Sequence, residues 1–348
     1  MTRLVDVIST SRSDYGHFLS VLNALQLDLA FTLRLVQPIG VNYQEYIARY
    51  QHAWDDGFAP VLTTVVSKQA DFALILGDRY ELLESIYPYI TSRTALCHLH
   101  AGEETEGALD NKIRHSLSKL SNLFFVAHQE YKTRLLQMGE EGWRIFVVGA
   151  PALDLIKPCR CTGEIAMVVW HPVTLEPALQ SFYLTELQAA LEDIRLPIVV
   201  IGPNSDIGSL YIDQSWRKWC ATRKDATYYA VVPPETFWDL MSESAVFIGN
   251  SSAAFIEAAS FELPCVNIGT RQTGRFVPPN VINVGYERSA IKTGINVALS
   301  QQVRDALRGV TNPLWQGGAA KKIVEVLHNV EISDRLLRKK FVSLPIAQ

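Results

Sequence analysis

The sequence predicts an α/β protein made of two doubly wound, Rossmann-like domains facing a cleft. Three observations carry that expectation. The chain has 348 residues, room for two separate cores. Short runs rich in β-branched residues alternate with longer amphipathic stretches along its whole length. These runs are apolar on both faces, as strands of a parallel sheet covered by helices on both sides must be.

In the first half the strand candidates are LVDVIST (4–10), LRLVQPIG (33–40), FALILG (72–77), TALCHLH (94–100), LFFVAH (123–128) and RIFVVGA (144–150). Helical patterns lie between them at 16–28, 43–53, 80–90, 110–120 and 129–139. The second half repeats the scheme with IAMVVWHP (165–172), LPIVVIGP (196–203), TYYAVV (227–232), AVFIGN (245–250), PCVNIG (264–269) and VINVG (281–285). Pro, Cys and Gly interrupt the pattern at APALDLIKPCRCTGE (150–164). The expected division is therefore 1–157 for the first domain and 158–330 for the second. The tail, 331–348, is expected to pack back on the first.

Composition excludes several functions. A net charge of −4 without a dense Lys/Arg stripe argues against nucleic acid as a partner. The basic cluster RLLRKK (335–340) reads as a solvated helix face. The five cysteines match no zinc spacing and read as reduced thiols, which points to the cytoplasm. The N-terminus enters a strand at once and shows no signal peptide, and no apolar run reaches membrane-spanning length.

In sheets of this kind ligands bind beyond the carboxyl ends of strands, so motifs there matter most. STSRSDYG (9–16) follows the first strand, and Arg12 leads into a helix whose free N–H groups can hold an anion. A surface arginine beside an Asp14 cap is the alternative. LGDRYE (76–81) projects Asp78 and Arg79 from the third strand, as site residues or as a structural ion pair. WHPVT (170–174) puts His171 at a strand end, where it can donate to a phosphate or handle a proton. In IGNSSAAFIEAASF (248–261) Ser251 and Ser252 open a helix suited to a pyrophosphate, and Glu257 can accept from both hydroxyls of a ribose diol. Neither a Walker A loop nor GxGxxG is present, so no nicotinamide or flavin cofactor is inferred.

HLHAGEETEGALDNKIRH (98–115) is denser still: nine of its eighteen residues can carry charge. Asp110 and Arg114 stand four apart on one helix face, with Lys112 nearby. Acids close to an arginine and histidines suit proton transfer on a sugar. A charged surface loop has the same composition.

Eight motifs in this order resemble the hydrolysing UDP-N-acetylglucosamine 2-epimerases of sialic and related nonulosonic acid biosynthesis: TSRSDYG, GDRYE, HLHAGEETEGALDNKIRHSLSKLS, VGAPALD, HPVT, PNSDIGS, GNSSAAFIEAASF and NIGTRQTGR. The resemblance implies a glycosyltransferase B type fold, with the substrate between the domains and a dimer or tetramer in solution. It also implies conversion of a UDP-2-acetamido sugar and water to UDP and the free 2-epimer, with neither metal nor cofactor. Arg12, His171, Ser251 and Ser252 would stabilise charge on the leaving phosphate. Arg79, Asn204, Val232, Glu257 and Arg271 would also line the nucleotide site, Val232 by the uracil and Glu257 by the ribose. Asp78 and Asp110 match acids of the proton transfers, and Arg114 an arginine that positions them.

Three departures stand out. Thr10 replaces a glycine of the first phosphate turn, and Asn111 follows Asp110 where a second Asp is common. Many relatives carry a catalytic Glu where this chain has His100, so either His100 or Glu103 is expected to assume its role. The HxHGGE pattern occurs in the branch that includes diacetylbacillosamine epimerases, which leaves that sugar as the alternative substrate. A non-hydrolysing epimerase and a UDP-sugar-binding regulator without catalysis are the remaining alternatives.

Overall fold

The computed structural model describes residues 2–10, 12–36, 70–204 and 206–343. The helix expected at 43–53 and the end of the run at 33–40 lie outside the described residues. Each of the twelve apolar runs carries a strand, and the strands form two parallel six-stranded sheets. Parallel strands need long crossovers, and helices supply most of those among the described residues.

The first sheet has β1 (Arg3–Ile8), β2 (Phe31–Val36), β3 (Phe72–Leu76), β4 (Ala95–Leu99), β5 (Leu123–Val126) and β6 (Ile145–Val147), in the order β2-β1-β3-β4-β5-β6. The second has β7 (Ile165–Val169), β8 (Ile198–Ile201), β9 (Ala226–Tyr229), β10 (Ser244–Gly249), β11 (Cys265–Ile268) and β12 (Val281–Val284), in the order β12-β11-β10-β7-β8-β9. Strand order reverses between β1 and β3 in one sheet and between β7 and β10 in the other. Such reversal points leave a crevice at the carboxyl ends of the two strands. STSRSDYG and LGDRYE flank the first reversal; WHPVT and IGNSS flank the second.

The second reversal depends on a glycine. Gly249 pairs with Val169 and has φ 145°, and a Cβ there would stand 1.9 Å from the Val169 carbonyl oxygen. Any side chain would push the two strand ends apart.

The contacts divide the chain into two compact units. The first gathers the described residues of Met1–Glu103, Asp110–Leu155 and Leu314–Gln348, and the second Glu104–Leu109 and Ile156–Pro313. The sequence divides the chain at 157 and 330; the contacts divide it at 155 and 313 and also move six residues of the acidic stretch into the second unit. Val5, Val7, Phe18, Phe72 and Leu74 centre the core of the first unit, and Trp170, Val200, Trp216 and Ile248 that of the second. Each buried aliphatic side chain contributes roughly 1.5–3 kcal/mol, so these faces, not the ion pairs at the strand ends, hold the units together.

The last residues complete the first core. Both oxygens of Asp154 accept the free N–H groups of Ala319 and Ala320, capping the Ala319–Asn329 helix whose Ile323 and Leu327 are fully buried. The buried Arg144 guanidinium donates to the carbonyls of Asn122, Arg335 and Leu336. The basic cluster is therefore not simply a solvated face. Its helix covers only Asp334–Leu337, and Lys339, 18% exposed, pairs with Glu140 at 2.7 Å. Among the described residues, no helix is long and apolar enough to cross a membrane.

Candidate active site

In the second unit the site grows from the ends of β7 and β10. The fully buried Asn250 accepts the His171 backbone N–H at 2.7 Å and donates to the His171 carbonyl at 2.9 Å. One side chain thus reproduces a strand pairing across the reversal. The His171 ring is then set from β8, where the backbone N–H of Asn204 donates to Nδ1 at 3.1 Å. A backbone N–H only donates, so Nδ1 is the acceptor and the proton sits on Nε2. His171 is half-buried, and its ring is closely surrounded by protein. Burial, and next the charge of Arg271, lower its pKa to about 3. His171 is therefore a neutral donor near pH 7, which favours the phosphate-donor reading over proton handling.

Arg271 ties the surrounding loops together. It donates to the carbonyls of Pro172 at 3.3 Å and Asn250 at 3.2 Å, and lies 3.6 Å from Asp206. Gln272 adds a bond to the Asn250 carbonyl at 2.9 Å. Asn204 and Arg271 thus join His171 through shared partners. Ser251 is buried and accepts the Ala253 N–H at 3.3 Å, which leaves its own proton to donate; Ser252 is half-buried. The helix after them is shorter than the sequence suggests, Ala253–Ile256 only, followed by a 3-10 turn over Ala258–Phe261. A single turn adds little macrodipole, so hydroxyls and free N–H groups must supply the local polarity. Glu257 sits at the joint of the two turns, 9% exposed, and accepts from Trp238 Nε1 at 3.1 Å. Val232 lies half-buried in the loop after β9.

In the first unit three strand ends carry the expected groups. After β1, Asp14 reaches back to accept from the Thr10 N–H at 3.0 Å and the Thr10 hydroxyl at 2.5 Å. Thr10, which stands where the family has glycine, is thereby absorbed into the helix entry. Asp14 holds the turn from inside the Arg12–Leu27 helix instead of capping it from outside. The side chain of Arg12 lies outside what is described. After β3, Asp78 pairs with Arg114, while Arg79 pairs with Glu81 at 2.9 Å. Arg114 is 2% exposed although it belongs to a polar helix, Asp110–Leu120. Asp110 opens that helix half-buried, and Lys112 is exposed.

His100 follows β4 and is the sharpest local feature. Its φ is 56°, a left-handed conformation uncommon outside glycine and a recurrent mark of functional positions. Its Nδ1 lies 2.6 Å from Glu103 Oε1, and both residues are buried. A carboxylate only accepts, so Nδ1 carries a proton and donates to Glu103, and Nε2 is the nitrogen left to act. That Nε2 is buried without a hydrogen-bond partner among the described residues. His98, two residues earlier, is the opposite case. It is fully buried, with Nε2 donating to the Gly77 carbonyl at 2.7 Å and Nδ1 meeting the Ser118 hydroxyl at 3.1 Å. Burial lowers its pKa to about 4, so it is a neutral strut between β3 and β4.

The acidic stretch is not a solvated loop. Within the second unit, Glu106 N–H donates to the Thr273 carbonyl at 3.0 Å and Leu109 N–H to Thr174 Oγ1 at 3.2 Å. Gly107 is pressed on the 270–271 backbone, where a Cβ would stand 2.4 Å from the Thr270 carbonyl oxygen.

Sequence reasoning missed Asn250, Gln272, His98 and Trp238. Asn250 at a strand end beside a glycine was a visible signal. The other three owe their roles to partners distant in sequence. Among the described residues, no group of three or more His, Cys, Asp or Glu side chains could hold a metal ion.

Residues 57–328 match the UDP-N-acetylglucosamine 2-epimerase family. A Legionella pneumophila protein named UDP-N,N'-diacetylbacillosamine 2-epimerase (hydrolyzing) is 33% identical over 288 residues, 78% of this chain and 74% of that protein. A Neisseria meningitidis protein named UDP-N-acetylglucosamine 2-epimerase is 29% identical over 384 residues, spanning 99% of this chain and all of its own. Among solved structures, a UDP-GlcNAc 2-epimerase from Neisseria meningitidis bound to UDP-GlcNAc superposes with a TM-score of 0.79 at 14% identity, over 94% of this chain and 100% of the other. The likeness in fold, the family match and the motif-bearing strand ends agree: the chain belongs to the UDP-N-acetylglucosamine 2-epimerase family.

Proposed function

We propose that the chain is a hydrolysing 2-epimerase, converting UDP-N-acetylglucosamine, or a close 2-acetamido UDP-sugar, and water to UDP and the free 2-epimer. For UDP-N-acetylglucosamine the product is N-acetylmannosamine. The observation that carries this reading is the His100–Glu103 pair beside the Asp78–Arg114 pair at adjacent strand ends. Together they provide a base, its orienting acid and a second charged acid.

The C2 proton is removed as the C1–O bond breaks, and UDP leaves with that electron pair. The remaining glycal then adds water, gaining hydroxyl at C1 and hydrogen at C2 from the opposite face. The C2 proton is weakly acidic, so leaving-group stabilisation carries much of the barrier. His171, through its Nε2–H, serves that role with Arg12, Ser251 and Ser252. Arg79, Asn204, Val232 and Arg271 line the nucleotide, and Glu257 takes the ribose hydroxyls. On the sugar side, His100 Nε2 moves a proton and Glu103 holds the imidazole in the required tautomer. Asp78 and Asp110 serve the second transfer, with Arg114 fixing Asp78.

The Legionella relative's name supports hydrolysis and favours a second substrate, the diacetamido sugar. Turnover of UDP-N-acetylglucosamine and UDP-2,4-diacetamido-2,4,6-trideoxyglucose side by side, in D2O, tests both. UDP release with deuterium at C2 of the free sugar is expected from at least one. Release without exchange, or UDP-N-acetylmannosamine as the stable product, overturns the reading.

A further inference from the structure

Glu257 accepts a hydrogen bond from a residue outside every motif that identifies the family. Trp238 lies on the Pro234–Glu243 helix, half-buried, nineteen positions before Glu257, and its indole Nε1 donates to Glu257 Oε1 at 3.1 Å. Glu257 is 9% exposed and stands where two short turns meet, with no long helix to fix its rotamer.

We infer that Trp238 is a positioning residue for ribose recognition: it holds the Glu257 carboxylate in the orientation that accepts two vicinal hydroxyls, and so sets selectivity for a ribonucleoside diphosphate over its deoxy counterpart. The inference rests on the reading of Glu257 as the ribose ligand. Three physical points carry it. An indole N–H only donates, so it engages an acceptor oxygen and fixes the carboxylate plane while consuming one of about four acceptor positions. A glutamate free to rotate would lose that freedom when ligand binds; one already tethered does not. A rigid two-ring side chain, partly buried on a regular helix, is a firm anchor for such a tether.

The experiment is calorimetric titration of UDP and of 2',3'-dideoxy-UDP into the full chain and its variants Glu257→Gln, Trp238→Phe and Trp238→Gln. The wild-type chain is expected to prefer UDP, and Glu257→Gln to remove most of that preference. Trp238→Phe, which keeps a ring but no donor, should weaken UDP roughly tenfold, as loss of a hydrogen bond to a charged group does, and leave the dideoxy ligand unmoved. Trp238→Gln, which restores a donor on a shorter arm, should recover part of the preference, and it keeps the test alive if the Phe variant folds poorly. Equal weakening of both ligands would mean that Trp238 merely packs, and unchanged UDP affinity would mean that its bond is idle; either result overturns the inference. A wild-type chain that binds both ligands equally, or a Glu257→Gln variant that still discriminates, would remove the ribose reading itself, which is a separate failure.

Discussion

His100 and His171 occupy comparable places, each at the carboxyl end of a parallel strand, yet they present opposite faces of the same ring. Glu103 accepts from Nδ1 of His100 and leaves Nε2 as the nitrogen to act. The Asn204 backbone N–H donates to Nδ1 of His171 and leaves the ring's own N–H on Nε2. In the proposed reaction the first ring moves a proton and the second stabilises an anion. The residue type does not decide between base and donor; the hydrogen bond on the far nitrogen does. His98 supplies the control, because both its nitrogens are occupied and nothing is left to act.

The largest expected effect falls on the first unit. His100→Ala should lower turnover by roughly 10²–10⁴, the usual worth of a positioned base, with UDP affinity unmoved. Glu103→Gln should cost only about tenfold, because the amide oxygen still accepts from Nδ1. Steady-state kinetics with parallel UDP titration decides. A Glu103→Gln loss equal to that of His100→Ala would show that the carboxylate itself moves the proton, and the contrast between the two histidines would dissolve.

His98 should appear in stability and not in the pH–rate profile. Its folded pKa of about 4 lies below the ordinary 6.5, so between these values the unfolded chain binds a proton that the folded chain refuses. Its contribution is complete above about pH 6.5 and is lost progressively as pH falls to about 4, up to about 3 kcal/mol. Urea midpoints measured from pH 7 to pH 4 should fall, and a His98→Gln variant should show a flatter dependence. An unchanged slope would remove the buried-strut assignment.

The smallest effect belongs to the second unit. His171→Gln should weaken UDP by roughly tenfold, in line with loss of one donor to an anion. Because its titration lies near pH 3, His171 should add no step to UDP affinity between pH 5 and 8. A step near pH 6.5 in the wild-type chain that vanishes in this variant would make His171 a charged ligand after all.

Much of this was legible because the signals are local. Apolar runs of strand length separated by helical stretches yield two parallel sheets almost regardless of detail, since such strands must be covered on both faces. Motifs at strand ends mark the crevices because strand order reverses there. Gly249 and the acidic stretch were visible as unusual patterns, and His100, Glu103, Asp78, Arg114 and Glu257 could all be named from position. The assignments that went astray concern things set at a distance. RLLRKK looks like a solvated face from its own residues, yet Lys339 pairs with Glu140, a carboxylate far away along the chain and brought beside it only by folding. The helix expected to run from Ser252 past Glu257 is a single turn, Ala253–Ile256, followed by a 3-10 turn.

Sequence alone determined the fold class, the family and the side chains proposed to react, because hydrophobic period and motif order are properties of neighbours along the chain. Tertiary structure decided which nitrogen of each histidine is left to act, that Asn250 locks His171 across the strand reversal, and that Trp238 donates to Glu257. Those outcomes depend on hydrogen bonds between groups brought together only by folding, and a hydrogen bond is set by distance and angle in space, which no local pattern encodes.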